Sequence, residues 1–431
     1  MRDPDPRRLG RTLIPSCPAP LVITTNPRIH LLQPYPFERL ADLVSGLEPP
    51  RDRPLLRLSI GEPEHPPPPS LVEGLRAAAS RLGRYPTARG EPELRAACAS
   101  WATRRFGLDT HPLDPERHVL PVCGTREGLF SIVQALVDPD DPRALVVMPN
   151  PFYQIYEGAT LLAGATPFHV NEEAAQDYRP DFRAVPEDVW ARCRLLIVCS
   201  PANPTGVVHD LATYRFLIEV ADRHGFPIVA DECYSEIYTA HPPLGLLEAA
   251  VRLGRGDYRG LLVVHSLSKR SSVPGLRSGF VAGDPDLIAP LARYRTYHGV
   301  AMPPPLQAAS MLAWNDEEHV RENRALYRRK FEILSDRLGA RTAIRVPEGG
   351  FYLWWKIPGD AEELVRALYR EEHLLALPGP YLSRPTPTGD PGRGHLRVSL
   401  VSDLERTEDL ADRLRRFLEH HPQWTTPSPA R

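Results

Sequence analysis

The chain of 431 residues carries 52 Lys and Arg against 54 Asp and Glu, a formal charge of -2, with 42% hydrophobic and 25% charged residues. That composition argues against a disordered chain, and the balanced charge against a partner that is nucleic acid or anionic membrane. Only Lys269, Lys330 and Lys356 are lysines, and every other basic residue is arginine. An arginine keeps its proton in a protein, whereas a lysine amine can be tuned into a nucleophile or base. Amine chemistry therefore has three candidates.

Taken in chain order, residues 1–25 read as a disordered Pro/Arg-rich extension. Arg7-Arg8 invites an export reading, but Pro15, Pro18 and Pro20 interrupt what would be the apolar region. Residues 26–60 form an N-terminal segment with an amphipathic helix over 38–47, expected to pack with a small domain. Pro66, Pro67, Pro68 and Pro69 read as a stiff linker. From residue 118 a rhythm sets in: apolar runs at 118–123, 144–148, 195–199, 227–230, 261–265 and 278–282, alternating with helical patterns such as 125–137 and 211–224. That is the pattern of βαβ units and a mostly parallel sheet flanked by helices, here a large α/β domain over 61–304. After Pro303-Pro304-Pro305 a long charged helix (305–338), a strand (351–357) and further helix predict a small C-terminal α+β domain over 305–421, with a tail at 422–431.

No run approaches the ~20 apolar residues that span a bilayer. Cys17, Cys98, Cys123, Cys193, Cys199 and Cys233 contain no CxxC pair, and no HExxH occurs. This fits reduced thiols in the cytoplasm and predicts no metal site.

In open α/β sheets ligands bind beyond the carboxyl ends of the strands, so the residues that follow each strand are the test. They are Gly124-Thr125-Arg126, Pro149-Asn150-Pro151-Phe152-Tyr153, Ser200-Pro201-Ala202-Asn203-Pro204-Thr205-Gly206, Asp231-Glu232-Cys233-Tyr234 and Ser266-Leu267-Ser268-Lys269. Five strands bring polar or aromatic groups to one edge. Lys269 alone of the lysines follows a buried-type strand; Lys330, in Arg328-Arg329-Lys330, reads as part of a solvated helix face, and Lys356 as a strand end reaching water. Ser266, Ser268 and Arg277 near Lys269 suit a phosphate. A lysine in such a cluster serves either a P-loop nucleotide site or a pyridoxal phosphate imine, and GxxxxGK[ST] is absent. Asp231 suits a protonated pyridine nitrogen, Asn203 and Tyr234 a phenolate oxygen, Thr125 and Arg126 a phosphate at a helix start, and Tyr153 a ring face. Taken singly, each also has an ordinary reading as a strand-end carboxylate, helix cap or core aromatic.

The motifs Ser200-Pro201-Ala202-Asn203-Pro204-Thr205-Gly206, Asp231-Glu232-Cys233-Tyr234, 266–279 with Lys269 and Arg277, and His395-Leu396-Arg397-Val398-Ser399 occur in the order found in class I aminotransferases. The chain resembles that fold-type I pyridoxal phosphate family from residue 26 to about 418. The resemblance implies that Lys269 binds the cofactor aldehyde, Asp231 pairs with the ring nitrogen, and Asn203 and Tyr234 reach the phenolate oxygen, with Tyr153 over the ring. It implies phosphate contacts from Thr125, Arg126, Ser266, Ser268 and Arg277, and from Tyr85 of the second subunit of a homodimer. Arg397, with Gly61 and Asn203, would hold the substrate carboxylate, and Asn203-Pro204 would be cis. The implied reaction is ping-pong transfer from a small-molecule amino donor to a 2-oxo acid; a lyase or decarboxylase would use the same cofactor groups. An acceptor with distant carboxylates would need further cations, for which Arg39, Arg89 and Arg270 are candidates. A regulator with a helix-turn-helix in front is disfavoured, because the Pro/Arg-rich extension cannot form one.

Overall fold

The structure, a computed structural model, describes residues 25–339, 342 and 344–425, so the expected extension falls outside the described residues except for Thr25, as do residues 426–431 of the tail. A short strand β1 (Leu56–Arg57) precedes the main sheet, whose strands are β2 (Val119–Val122), β3 (Leu145–Asn150), β4 (Thr166–Asn171), β5 (Cys193–Cys199), β6 (Ile228–Asp231), β7 (Leu261–Ser266) and β8 (Gly279–Gly283). Their order is β2-β8-β7-β6-β5-β3-β4, and β8 alone runs against the others. Alternate residues serve opposite faces. Leu196 and Val198 of β5 enter one apolar cluster with Ile228 and Val263, while Leu195 and Ile197 enter another with Val229 and Leu262. A sheet covered on both faces needs such continuous aliphatic runs, which is why they were readable.

The edge strand β4 escaped the sequence reading. Its Pro167, His169 and Asn171 dilute the apolar pattern, and proline is tolerated there because an edge strand has one unpaired side.

A second core gathers around β9 (Tyr352–Lys356), β11 (Leu377–Pro378) and β12 (His395–Ser399), a three-stranded antiparallel sheet, while β10 (Leu374–Leu375) pairs in parallel with β1. Leu40, Leu43, Leu56 and Leu58 of the N-terminal segment are buried in this core. The expected helix 38–47 is found as Pro36–Val44 and ends at Ser45-Gly46, where Gly46 takes φ 75. The proline linker also proves shorter: Pro68 is the N-cap and Pro69 the first residue of helix Pro69–Ala78, a position that suits a residue without an N–H.

The single long helix expected over 305–338 is two, Pro304–Asn315 and Glu318–Leu338. Asp316 breaks it: its backbone is extended, its Oδ1 accepts from the Glu318 N–H at 2.8 Å and its Oδ2 meets His319 at 2.9 Å. The first half packs Ala309, Ala313 and Trp314 into the core of the main sheet rather than that of the smaller one. Lys330 corrects another expectation, since it is fully buried. Among the described residues no helix is long and apolar enough to cross a membrane.

Candidate active site

The carboxyl ends of β2, β3, β5, β6 and β7 open into a cavity of about 640 Å3 closed on its far side by Gly61, Tyr352 and Arg397. Every residue expected to hold the cofactor or the substrate α-carboxylate lines it except Tyr85, whose side chain is fully exposed on the surface of the single chain.

Lys269 enters from a short helix, Leu267–Arg270, that starts where β7 ends. Ser266 caps it by accepting from the Ser268 N–H at 3.0 Å, which turns the chain and directs Lys269 into the cavity. Its Nζ donates to the Gly61 carbonyl and stands 5.3 Å from the centre of the Phe351 ring. Burial lowers its pKa from the ordinary 10.5 to about 8, with Arg397 and Arg126 adding to the effect and Cys233 and Glu62 opposing it. An amine so held gives up its proton far more readily than a solvated lysine.

Asp231, the last residue of β6, is buried. Tyr156 donates to its Oδ2 at 2.7 Å and the Cys233 N–H to its Oδ1 at 3.2 Å. Burial raises its pKa, while those two donors and the Lys269 charge act in the opposite sense. A carboxylate held this way is suited to a cationic ring nitrogen placed against it.

Tyr156 was missed from the sequence. The one signal was a tyrosine on an apolar helix face, whose hydroxyl needs a partner once buried. Replacing Tyr156 by Phe is expected to lower kcat about tenfold, since a hydrogen bond to a buried charge is worth roughly 1.5–3 kcal/mol, with little change in KM. Steady-state kinetics with any accepted amino donor check this.

Tyr352 was also missed. Its hydroxyl lies 3.0 Å from that of Tyr234, and a Cβ on Gly61 would lie 1.9 Å from it, so any side chain at 61 would push the Tyr352 ring out of place. Thr125 Oγ1 meets Cys233 Sγ at 3.0 Å.

At the opposite end of the cavity a cup of donors forms. Gly124, with φ +80, sits at the N-cap of helix Thr125–Leu136, and a Cβ there would lie 2.2 Å from Arg277 Nη2. Arg277 itself has φ +53, and its guanidinium donates to the carbonyls of Pro274 at 2.8 Å and Cys123 at 3.3 Å. The Ser266 and Ser268 hydroxyls are 2.9 Å apart. Helix N–H groups, two hydroxyls and a guanidinium make a donor set matched to a phosphate dianion. The Arg126 side chain turns elsewhere, to the hydroxyls of Tyr153 at 2.5 Å and Tyr35 at 3.4 Å, so its offer to an anion in the cup is its main-chain N–H.

Arg397 projects from β12. Its Nη2 donates to the Ser59 carbonyl at 2.6 Å, its Nη1 to Asn203 Oδ1 at 3.2 Å, and its plane lies over the Tyr352 ring at 4.5 Å. Its buried Nε has no partner, a donor of the kind that a carboxylate would satisfy. Asn203 lies in the loop after β5, and Asn203-Pro204 is cis as expected, together with Ser200-Pro201 and Asn150-Pro151.

The expected further cations fare differently. Arg270 is buried beside Trp101 and Trp314, donates to the Ala313 carbonyl at 2.6 Å and pairs with Glu317 at 2.5 Å, so it ties two helices together away from the cavity. Arg89 turns to the Glu116 carbonyl and Arg39 lies over the Tyr381 ring at 3.8 Å; neither lines the cavity.

An α/β sheet with a desolvated lysine, a buried carboxylate and a phosphate-matched cup around one cavity defines a pyridoxal phosphate-dependent class of enzyme. The family model for aminotransferase class I and II matches residues 53–414, and the chain belongs to that family: it is a pyridoxal phosphate-dependent aminotransferase. LL-diaminopimelate aminotransferase of Nitratidesulfovibrio vulgaris is 31% identical over 396 residues, covering 90% of this chain and 97% of the relative. A crystal structure of an aminotransferase from Neisseria meningitidis superposes with a TM-score of 0.87 at 44% identity, covering 92% of this chain and all of that one. A probable N-succinyldiaminopimelate aminotransferase from Thermus thermophilus superposes with a TM-score of 0.78 at 26% identity, covering 89% of this chain and all of that one.

Proposed function

We propose that the enzyme moves an amino group from glutamate to N-succinyl-2-amino-6-oxopimelate by a ping-pong reaction, as a succinyldiaminopimelate transaminase of lysine and diaminopimelate biosynthesis. The observation that carries this is a side cavity of about 210 Å3 that shares Tyr35, Pro36, Arg126 and Gln154 with the main one, giving a long acidic acceptor room and, at the junction, the Arg126 guanidinium, whose hydrogen bonds go to tyrosine hydroxyls; Arg384 deeper in is already paired with Glu157. The motifs Leu32-Gln33-Pro34-Tyr35-Pro36-Phe37-Glu38-Arg39-Leu40 and Ser59-Ile60-Gly61-Glu62-Pro63-Glu64-His65 resemble those of bacterial succinyldiaminopimelate aminotransferases and support the same reading.

Pyridoxal phosphate supplies an aldehyde that condenses with amines and a ring that takes up the electrons left when a proton leaves the substrate Cα. In this reading Lys269 would hold the cofactor, and its Nζ, when not so engaged, would move the proton at the substrate Cα. Asp231, steadied by Tyr156, keeps the ring nitrogen protonated. Asn203 and Tyr234 donate to the phenolate oxygen, and Tyr153 covers the ring. Thr125, the Arg126 N–H, Ser266, Ser268 and Arg277 hold the phosphate, joined by Tyr85 from a second copy of the chain in a cytoplasmic homodimer. Arg397 grips the α-carboxylate beside Gly61 and Asn203. The body over 61–304, with helix Pro304–Asn315 packed into its core, would carry the cofactor, and the rest of 305–421 with 26–60 would close over the substrate.

The names of the curated relatives favour a second reading, LL-diaminopimelate as the amino donor. A substrate panel separates the two. The succinylated keto acid is expected to exceed oxaloacetate, pyruvate and aromatic 2-oxo acids in kcat/KM by at least about tenfold, because a site that pairs a substrate's charge rejects analogues lacking it. Faster turnover of LL-diaminopimelate would replace the first reading by the second.

A further inference from the structure

Lys330 lies far from the cofactor groups in sequence, yet it is fully buried on helix Glu318–Leu338 behind the wall that holds Lys269. Its Nζ is 2.6 Å from His65 Nε2 and donates to the Leu400 carbonyl at 3.2 Å. The Asn323 amide nitrogen faces two main-chain carbonyls, so its Oδ1 faces His65; the ring proton therefore resides on Nδ1, and Nε2 accepts from Lys330. Nδ1 then donates to Asn323 Oδ1 at 2.7 Å, which also accepts from the Ser272 hydroxyl at 3.0 Å. The Asn323 amide nitrogen donates to the main-chain carbonyls of Lys269 at 3.1 Å and Arg270 at 3.2 Å. Every donor in this chain meets an acceptor in one consistent direction.

A second path runs alongside. Lys330 Nζ is 4.6 Å from the Tyr327 ring, which stacks on Phe351, the ring beneath Lys269 Nζ. His65 also follows closely on Gly61, whose carbonyl receives the Lys269 amine. The segment 61–65 thus bears on Lys269 at both its side-chain tip and, through Asn323, its backbone. Burial lowers the Lys330 pKa to about 7, opposed by Asp403 and Glu64, the charged groups that face this pair; the Tyr327 hydroxyl is buried without a partner.

We infer that Lys330, His65 and Asn323 form a positioning relay that fixes the backbone of Lys269 and couples it to helix Glu318–Leu338 and to segment 61–65. The inference rests on Lys269 being the cofactor lysine. Two variants test it: Lys330→Met, of similar length without a donor, and Asn323→Asp, which keeps the acceptor for His65 but removes the donor to the two carbonyls.

In the cofactor-free full chain, hydrogen exchange across residues 267–272 is expected to accelerate at least about tenfold in both variants, as local opening becomes easier. In the loaded enzyme kcat is expected to fall about 10- to 100-fold, with KM for the amino donor within about twofold, since the loss is of orientation rather than binding. Unchanged exchange at 267–272, or a lowered Tm accompanied by wild-type exchange and kcat, overturns the relay. Should Lys330→Met fail to fold, Asn323→Asp decides alone. Borohydride trapping of wild-type enzyme followed by peptide mapping separates failure of the underlying assignment, which would put the label on another residue.

Discussion

Replacing Lys269 with alanine is expected to abolish transamination, a fall of at least about 10⁴-fold in kcat, the upper range for loss of a positioned acid–base group. The variant should also lack the visible absorbance of a lysine-bound cofactor while keeping the wild-type fold by circular dichroism. Two functions disappear together, because the same Nζ is proposed both to hold the cofactor and to move the proton. The environment that makes this possible lies between Gly61, Phe351 and Arg397. Burial there brings the Lys269 pKa to about 8, so the rate at which cofactor-free protein captures pyridoxal phosphate should climb with pH and level off above pH 8. A solvated lysine would still be gaining at pH 10. The linked effect on stability has a definite sign: between about 8 and 10.5 the unfolded chain binds more of this proton than the folded one, so this residue's contribution favours folding increasingly as pH rises through that window. Near-wild-type turnover of Lys269→Ala would remove the assignment altogether.

The second large effect belongs to Arg397. Exchange for lysine keeps the charge but loses the planar fork that reaches the Ser59 carbonyl, Asn203 and, through its unpartnered Nε, a carboxylate. Loss of a charge-assisted bidentate contact costs roughly 2–3 kcal/mol, about 100-fold in kcat/KM for every amino donor. The lysine-bound cofactor absorbance should survive, which separates this defect from that of Lys269→Ala. Wild-type kcat/KM in Arg397→Lys would show that the carboxylate is held elsewhere.

The parts of the fold that the sequence made legible share a physical cause. Strands buried on both faces are aliphatic without interruption, so β3, β5, β6 and β7 stand out, and the polar residues just beyond them stand out by contrast. Lys269, Asp231 and Asn203 were found in this way. The charged residues that were misjudged fail for the opposite reason: their surroundings come from remote sequence. Arg270 is read as available until Ala313, Glu317 and two tryptophans close around it, and Lys330 as solvated until His65 and Leu400 supply its partners. Tyr156 is indistinguishable by spacing from a core aromatic, because its partner Asp231 arrives only when β6 is laid beside β5. The break at Asp316 depends on side-chain hydrogen bonds that compete with the helix, and charge periodicity carries no trace of them.

Strand β8, the one that runs against the rest of the main sheet, pairs Gly279 with Ser266, so residues 267–278 form the closed end of a hairpin. Lys269 and Arg277, the proposed covalent and phosphate anchors of the cofactor, therefore occupy opposite arms of one short tether. When either grip lets go, the other keeps the ligand at a high effective concentration for recapture, a chelate effect within a single loop. Escape requires both to release in the same opening, so cofactor retention is a kinetic property of this hairpin rather than the sum of two independent affinities.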